Sequence, residues 1–183
     1  MSAQHLTAQI YTRQIMTPLA REIAQWSQLG GSVYTGATSE TLATALADGP
    51  TLALILVSHW QDLPIPAIEL FDGMRRIEEI ANAFPSDYVG AIDLCICQAT
   101  GLAKALMSRA PDCIVRWENV ETTPAIWFPV YTLAFTLMRD RGITYMSAMD
   151  EAIRGFLYVS KAELEPSAIG ISRRFWRRGG CPG

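Results

Sequence analysis

Apolar residues fall into two kinds of run along this chain. Leu52-Ala53-Leu54-Ile55-Leu56-Val57-Ser58 and Ala91-Ile92-Asp93-Leu94-Cys95-Ile96 are short and almost unbroken, as in strands buried on both faces. Cys113-Ile114-Val115-Arg116-Trp117 is a third such run, and Leu6–Tyr11 and Ser32–Thr35 are shorter strand candidates. Between them the apolar positions recur at helical spacing. Thr17-Pro18 opens a helix carrying Leu19, Ile23, Trp26 and Leu29, and Gly30-Gly31 stops it. Further helices are predicted from Ser39 to Ala47, through Leu70, Met74, Ile77, Ile80 and Ala81, from Gly101 to Arg109, and from Pro124 through Leu137. A last helix carries Ala148, Ile153, Phe156 and Leu157, with Ser147 and Asp150 as its capping box. Pro64 and Pro66 predict a loop over residues 60–68.

Strands that alternate with helices imply an α/β fold: a mostly parallel sheet covered on both faces. The pattern shows no internal repeat, and one domain is expected over residues 1–160. The remainder, 161–183, differs: Arg173, Arg174, Arg177 and Arg178 flank Phe175 and Trp176. It reads as a basic, aromatic tail, either a loosely ordered chain end or a docking segment for an acidic partner or membrane surface.

Composition narrows the function classes. The 183 residues are 50% apolar and 18% charged, which permits a large core and leaves apolar surface for a partner. A formal charge of −3 argues against nucleic acid as a ligand. The opening Met1-Ser2-Ala3-Gln4-His5 lacks a basic region followed by an apolar one, so no signal peptide is expected. Cys95 and Cys97 share one strand and Cys113 lies on another, unlike a secreted disulfide framework, and a cytoplasmic location is expected. Cys-x-Cys spacing with two histidines in the chain argues against a metal site. No Gly-x-Gly-x-x-Gly or phosphate loop is present, so no cofactor is expected. No apolar run is long enough for an integral membrane segment. The helix bearing Trp127, Phe128, Tyr131 and Phe135 is apolar all round and must be buried, with a second copy of the chain as one candidate to cover part of it.

The candidate chemistry stands at two strand ends. The first long strand delivers His59, and the second delivers Cys97, followed at once by Gln98-Ala99-Thr100-Gly101. Sites of open α/β sheets gather where parallel strands end. An imidazole and a thiol meeting there are the minimum equipment of a cysteine hydrolase. Cys97 is the better nucleophile candidate because it is nearer the strand end; Cys95 and Cys113 read as small buried hydrophobes. Asp93 lies on the same face of its strand as Cys95 and Cys97.

The order of elements from 51 to about 160 resembles the caspase-like cysteine peptidases of clan CD, most closely the CHAT family. The resemblance is carried by Leu54-Ile55-Leu56-Val57-Ser58-His59, by Leu94-Cys95-Ile96-Cys97-Gln98-Ala99-Thr100-Gly101, by Arg109-Ala110-Pro111-Asp112-Cys113-Ile114-Val115-Arg116-Trp117, and by the helices from Pro124 and Ser147. It implies a three-layer αβα sandwich and an endopeptidase acting on a protein substrate. Cys97 would attack the scissile carbonyl and His59 would manage the leaving-group proton. Backbone N–H groups at Cys97 and near His59 would cradle the oxyanion. Asp93 with Glu118 suggests an acidic pocket for Arg or Lys, and Trp60 and Trp117 are candidate groove residues, Trp117 equally a core residue. Trp60 stands where that family usually has glycine. The alternative is therefore a catalytically inactive scaffold or binding subunit for a regulatory protein partner. A third reading is an unrelated doubly wound domain holding a small ligand at its strand ends.

Overall fold

Five short strands run in one direction, and the chain returns at the end to add a sixth against them. The computed structural model describes residues 6–10, 20–29, 31–47, 53–61, 64–117, 124–163 and 176–178. Within them the elements follow in order: β1 (Leu6–Ile10), α1 (Ala20–Gln28), β2 (Gly31–Thr35), α2 (Ser39–Ala47), β3 (Ala53–Val57), β4 (Trp60–Gln61), β5 (Ala67–Leu70), β6 (Gly73–Arg76), α3 (Ile77–Ala83), β7 (Ala91–Cys95), α4 (Thr100–Arg109), β8 (Ile114–Trp117), α5 (Pro124–Arg141), α6 (Tyr145–Glu163) and β9 (Trp176–Arg178). The large sheet has the order β2-β1-β3-β7-β8-β9. Its first four pairings are parallel, and β9 is antiparallel to β8.

The two-sided burial of β3 shows why its sequence is an unbroken apolar run. Ala53, Ile55 and Val57 face one cluster, with Ile23 and Trp26 of α1, Phe128, Tyr131 and Phe135 of α5, and Ala148 and Met149 of α6. Leu54 and Leu56 face the other, with Leu42 of α2, Ile80 of α3 and Leu102 and Leu106 of α4. Alternate side chains of a strand point to opposite faces, so helices cover both sides of this sheet. Trp26 ties α1 to α5: its ring lies 4.6 Å from that of Phe128, and its Nε1–H donates to Thr132 Oγ1 at 2.7 Å.

Several expectations are corrected. Residues 67–76 form a β-hairpin, not the first turns of a helix through Leu70 and Met74. Leu70 pairs with Gly73 around a turn of Phe71 and Asp72, and Gly73 has φ +120°, open to glycine at little cost. Only Ile77–Ala83 is helical there. The expected loop over 60–68 begins with β4, which pairs antiparallel to β5. The result is a second sheet, β4-β5-β6, whose Ile68 and Leu70 extend the cluster on the α2–α4 side. Within the segment expected as a tail, Trp176–Arg178 pairs antiparallel with Ile114–Arg116 at the edge of the large sheet. Thr144, not Ser147, caps α6: its Oγ1 accepts the Ser147 N–H at 3.3 Å. Helix α5 is not buried all round, since Ile126 and Leu133 are exposed. No helix among the described residues is long and apolar enough to cross a membrane.

Candidate functional site

The pairing of β3 with β7 places His59 and Cys97. The register joins Val57 to Cys95, and the Ser58 N–H carries the ladder one step further to the Cys95 carbonyl at 3.4 Å. His59 and Cys97 each follow two residues beyond that matched pair, at the carboxyl rim of neighbouring parallel strands. Such strands lie about 4.8 Å apart. His59 is exposed and Cys97 half-buried. The strand order reverses between β1 and β3: the chain passes from β1 outward to β2, then returns to β3 and continues to β7 and β8. Ligand crevices of open α/β sheets form at the carboxyl ends of strands flanking such a reversal, so His59 follows a flanking strand and Cys97 follows the strand next to it.

The turn after Cys97 is conformationally unusual. Gln98 adopts φ +52°, the only positive φ of a non-glycine residue among those described. A left-handed L-residue costs about 1–2 kcal/mol, and such costs concentrate at functional turns. This turn swings the chain from β7 into α4, whose N-cap, Ala99, has no side-chain oxygen to occupy the first N–H groups. The positive end of that helix therefore faces the rim next to Cys97, where negative charge is favoured. Gln98 is exposed, so its substitution reads out backbone conformation more than packing. Gln98→Val is expected to melt at lower temperature than Gln98→Gly, by about 1–2 kcal/mol of stability, because a β-branched residue resists positive φ. Equal melting temperatures would mean that the turn is not left-handed in solution.

The histidine is framed by the small sheet. The Glu69 N–H donates to the His59 carbonyl at 3.1 Å, and the Ser58 hydroxyl donates to the Glu69 carbonyl at 2.5 Å. The far end of the same hairpin rests on the loop after β2. There the Phe71 N–H donates to the Ala37 carbonyl at 2.8 Å, Asp72 accepts the Ser39 N–H, and Arg75 bonds both Asp72 and the Ser39 hydroxyl. Burial raises the Asp72 carboxyl, but the Ser39 N–H and Arg75 outweigh it and hold the group below its ordinary range. The small sheet is thus pinned to the carboxyl rim at two places.

The other expected site residues lie elsewhere. Asp93 is fully buried. Its Oδ1 accepts from Arg116 at 2.8 Å and from the Tyr131 hydroxyl at 2.9 Å, and its Oδ2 accepts from the Tyr145 hydroxyl at 2.7 Å. The Arg116 guanidinium stacks 3.8 Å over the Trp127 ring. An aspartate so engaged is a structural hub, not an acidic specificity pocket. Trp117 is buried in the α2–α4-side cluster as a core residue, and Trp60 is half-buried with its ring against the same cluster. Glu118 lies outside the described residues. Sequence reasoning missed Arg116, Tyr131 and Tyr145; the signal was a charge of each sign in the middle of two apolar strands.

The same hub separates the thiols. Burial, then the nearby Asp93 carboxylate, pushes Cys95 up to about 12, and burial pushes Cys113 up to about 11. Both stay protonated and unreactive at neutral pH. Native protein treated with iodoacetamide at pH 8 is expected to be alkylated at Cys97, while Cys95 and Cys113 react only after unfolding. Peptide mapping reads this directly, and early alkylation of Cys95 would contradict its burial. Stability should also fall in alkali. The folded state keeps these protons past the ordinary thiol value of 9.0, whereas the unfolded chain releases them, so stability present at neutral pH is lost as pH climbs from about 9 toward 12.

Among the described residues, no group of three or more His, Cys, Asp or Glu gathers as metal ligands do. No protein-family model matches the chain, and no curated protein matches it significantly.

Proposed function

We propose that this protein is a caspase-like cysteine endopeptidase in which Cys97 and His59 form the dyad. The single observation that carries the reading is the pairing of β3 and β7, which sends the two residues off the same rim from matched positions. A mostly parallel sheet with helices on both faces is the scaffold that the resemblance to clan CD requires. The left-handed turn at Gln98 and the α4 terminus beside Cys97 add a backbone setting suited to a developing negative charge.

In this reading the Cys97 sulfur attacks the carbonyl carbon of the scissile peptide bond. The carbonyl oxygen takes the negative charge and is met by backbone N–H groups. Collapse of that tetrahedral species breaks the C–N bond, and His59 supplies the proton that leaves with the amine. Water then attacks the thioester, releasing the acid product and the Cys97 thiol. Because Asp93 is occupied by Arg116 and two tyrosines, an acidic selectivity pocket is not part of the proposal.

The bulk of Trp60, directly after the histidine, favours one second reading: a scaffold of the same ancestry that binds a protein partner without cutting it. An internally quenched peptide library separates the two. Cleavage that falls by about a hundredfold or more in both His59→Ala and Cys97→Ala supports the peptidase, and a folded wild-type protein that cleaves nothing supports the scaffold.

A further inference from the structure

Two residues, Ser58 and His59, connect the large sheet to the small one, since β3 ends at Val57 and β4 begins at Trp60. Ser58 is polar yet only 6% exposed, and it touches every element that meets there. Its N–H donates to the Cys95 carbonyl of β7 at 3.4 Å. Its hydroxyl donates to the Glu69 carbonyl of β5 at 2.5 Å and lies 3.4 Å from the His59 carbonyl. The Glu69 N–H, in return, donates to the His59 carbonyl at 3.1 Å. The β4–β5 register, Trp60 with Ile68 and Gln61 with Ala67, sets His59 opposite Glu69.

We propose that Ser58 is a positioning residue for His59: its buried hydroxyl clasps β5 to the end of β3 and so fixes the direction in which the histidine leaves the sheet. The inference rests on the peptidase reading above. The His59 side chain is exposed, so its placement depends on the backbone that carries it. That backbone is held on both sides of its peptide by the Ser58–Glu69–His59 exchange. An alanine at 58 keeps the extended backbone but removes the hydroxyl that donates to the Glu69 carbonyl, and the clasp loses one of the bonds that close it. A displacement of about an ångström at a general acid costs up to about a hundredfold in rate.

The test uses the full chain and the best-cleaved member of the quenched peptide library. Ser58→Ala is expected to lower kcat by about tenfold to a hundredfold, with KM changed less than about twofold. The Ser58→Ala/His59→Ala double variant should be no slower than His59→Ala, because a residue that acts through the histidine has nothing left to do without it. Independently of activity, hydrogen exchange at the Glu69 amide should accelerate by about tenfold or more while the β7 amides are unchanged. Should Ser58→Ala fail to fold, Ser58→Cys, nearly isosteric but a weak donor, serves in its place. Wild-type kcat in the Ser58 variant, alongside a His59→Ala variant slowed to a small residual rate, overturns this proposal and leaves the peptidase standing. Losses that multiply in the double variant also overturn it. A wild-type chain that cleaves no peptide removes the peptidase reading and this inference together.

Discussion

Arg116→Met is expected to destabilise the fold by about 3–5 kcal/mol, the cost of leaving a buried charge without its partner. Arg116 is 2% exposed and Asp93 is fully buried, so water cannot replace the lost guanidinium. The two are matched across β7 and β8, and the Asp93 carboxylate also receives the hydroxyls of Tyr131 from α5 and Tyr145 from α6. One carboxylate therefore ties two strands and two helices. Burial, followed by the Asp93 charge, keeps both phenols protonated far above their ordinary range, so they remain donors. After the substitution only these neutral donors face the carboxylate, and the Trp127 ring loses its stacked cation. For a chain of this size the deficit corresponds to a melting temperature lower by about 6–20 °C. An Asp93→Leu/Arg116→Met double variant should recover part of the loss, because no unpaired charge remains in the interior. Thermal unfolding of the three proteins decides it. A single variant that melts within about 2 °C of the parent would mean that water reaches the pair.

The second large effect is chemical. Cys97→Ala should lower peptide cleavage by about 10⁴-fold or more, because removing a nucleophile abolishes the covalent route and leaves only binding and oxyanion stabilisation. Its melting temperature should hardly change, since the side chain is half-buried at the rim. Cys95→Ala should do the reverse. That thiol is sealed among Ile55, Val57 and Tyr131 and held protonated, so its removal leaves a small cavity, costs about 1–2 kcal/mol of stability and spares most of the turnover. Two cysteines separated by one residue thus give opposite signatures. If both variants lose activity in proportion to stability, no special role attaches to Cys97.

What the sequence shows of this fold follows the reach of its signals. Unbroken apolar runs mark β3 and β7 because both faces of these strands are covered, and their ends give the rim on which His59 and Cys97 sit. The β5–β6 hairpin is obscured by coincidence: Leu70, Met74, Ile77 and Ile80 happen to fall at helical spacing. The Asp72-Gly73 pair, which turns the chain, is the more decisive signal there. Strand β9 pairs with a segment some sixty residues earlier, and no local pattern announces a partner that distant. The role of Asp93 is hidden for the same reason. Only the β7–β8 register sets Arg116 beside it, and without that register a buried hub is indistinguishable from a binding-pocket carboxylate. Ser58 and Gln98 flank the candidate dyad, but their contributions are a hydrogen bond and a dihedral angle, which residue identity does not encode.

The most direct measurement is covalent capture. The native chain is incubated with a peptidyl acyloxymethyl ketone, which alkylates a cysteine only when a bound peptide presents its carbonyl to the sulfur, and the adduct is located by mass spectrometry. The expected result is one adduct, on Cys97, that forms in wild type and is suppressed in His59→Ala. An adduct on Cys181 or Cys113 alone, or one on Cys97 that forms equally fast without His59, would contradict a shared site at the carboxyl rim of β3 and β7.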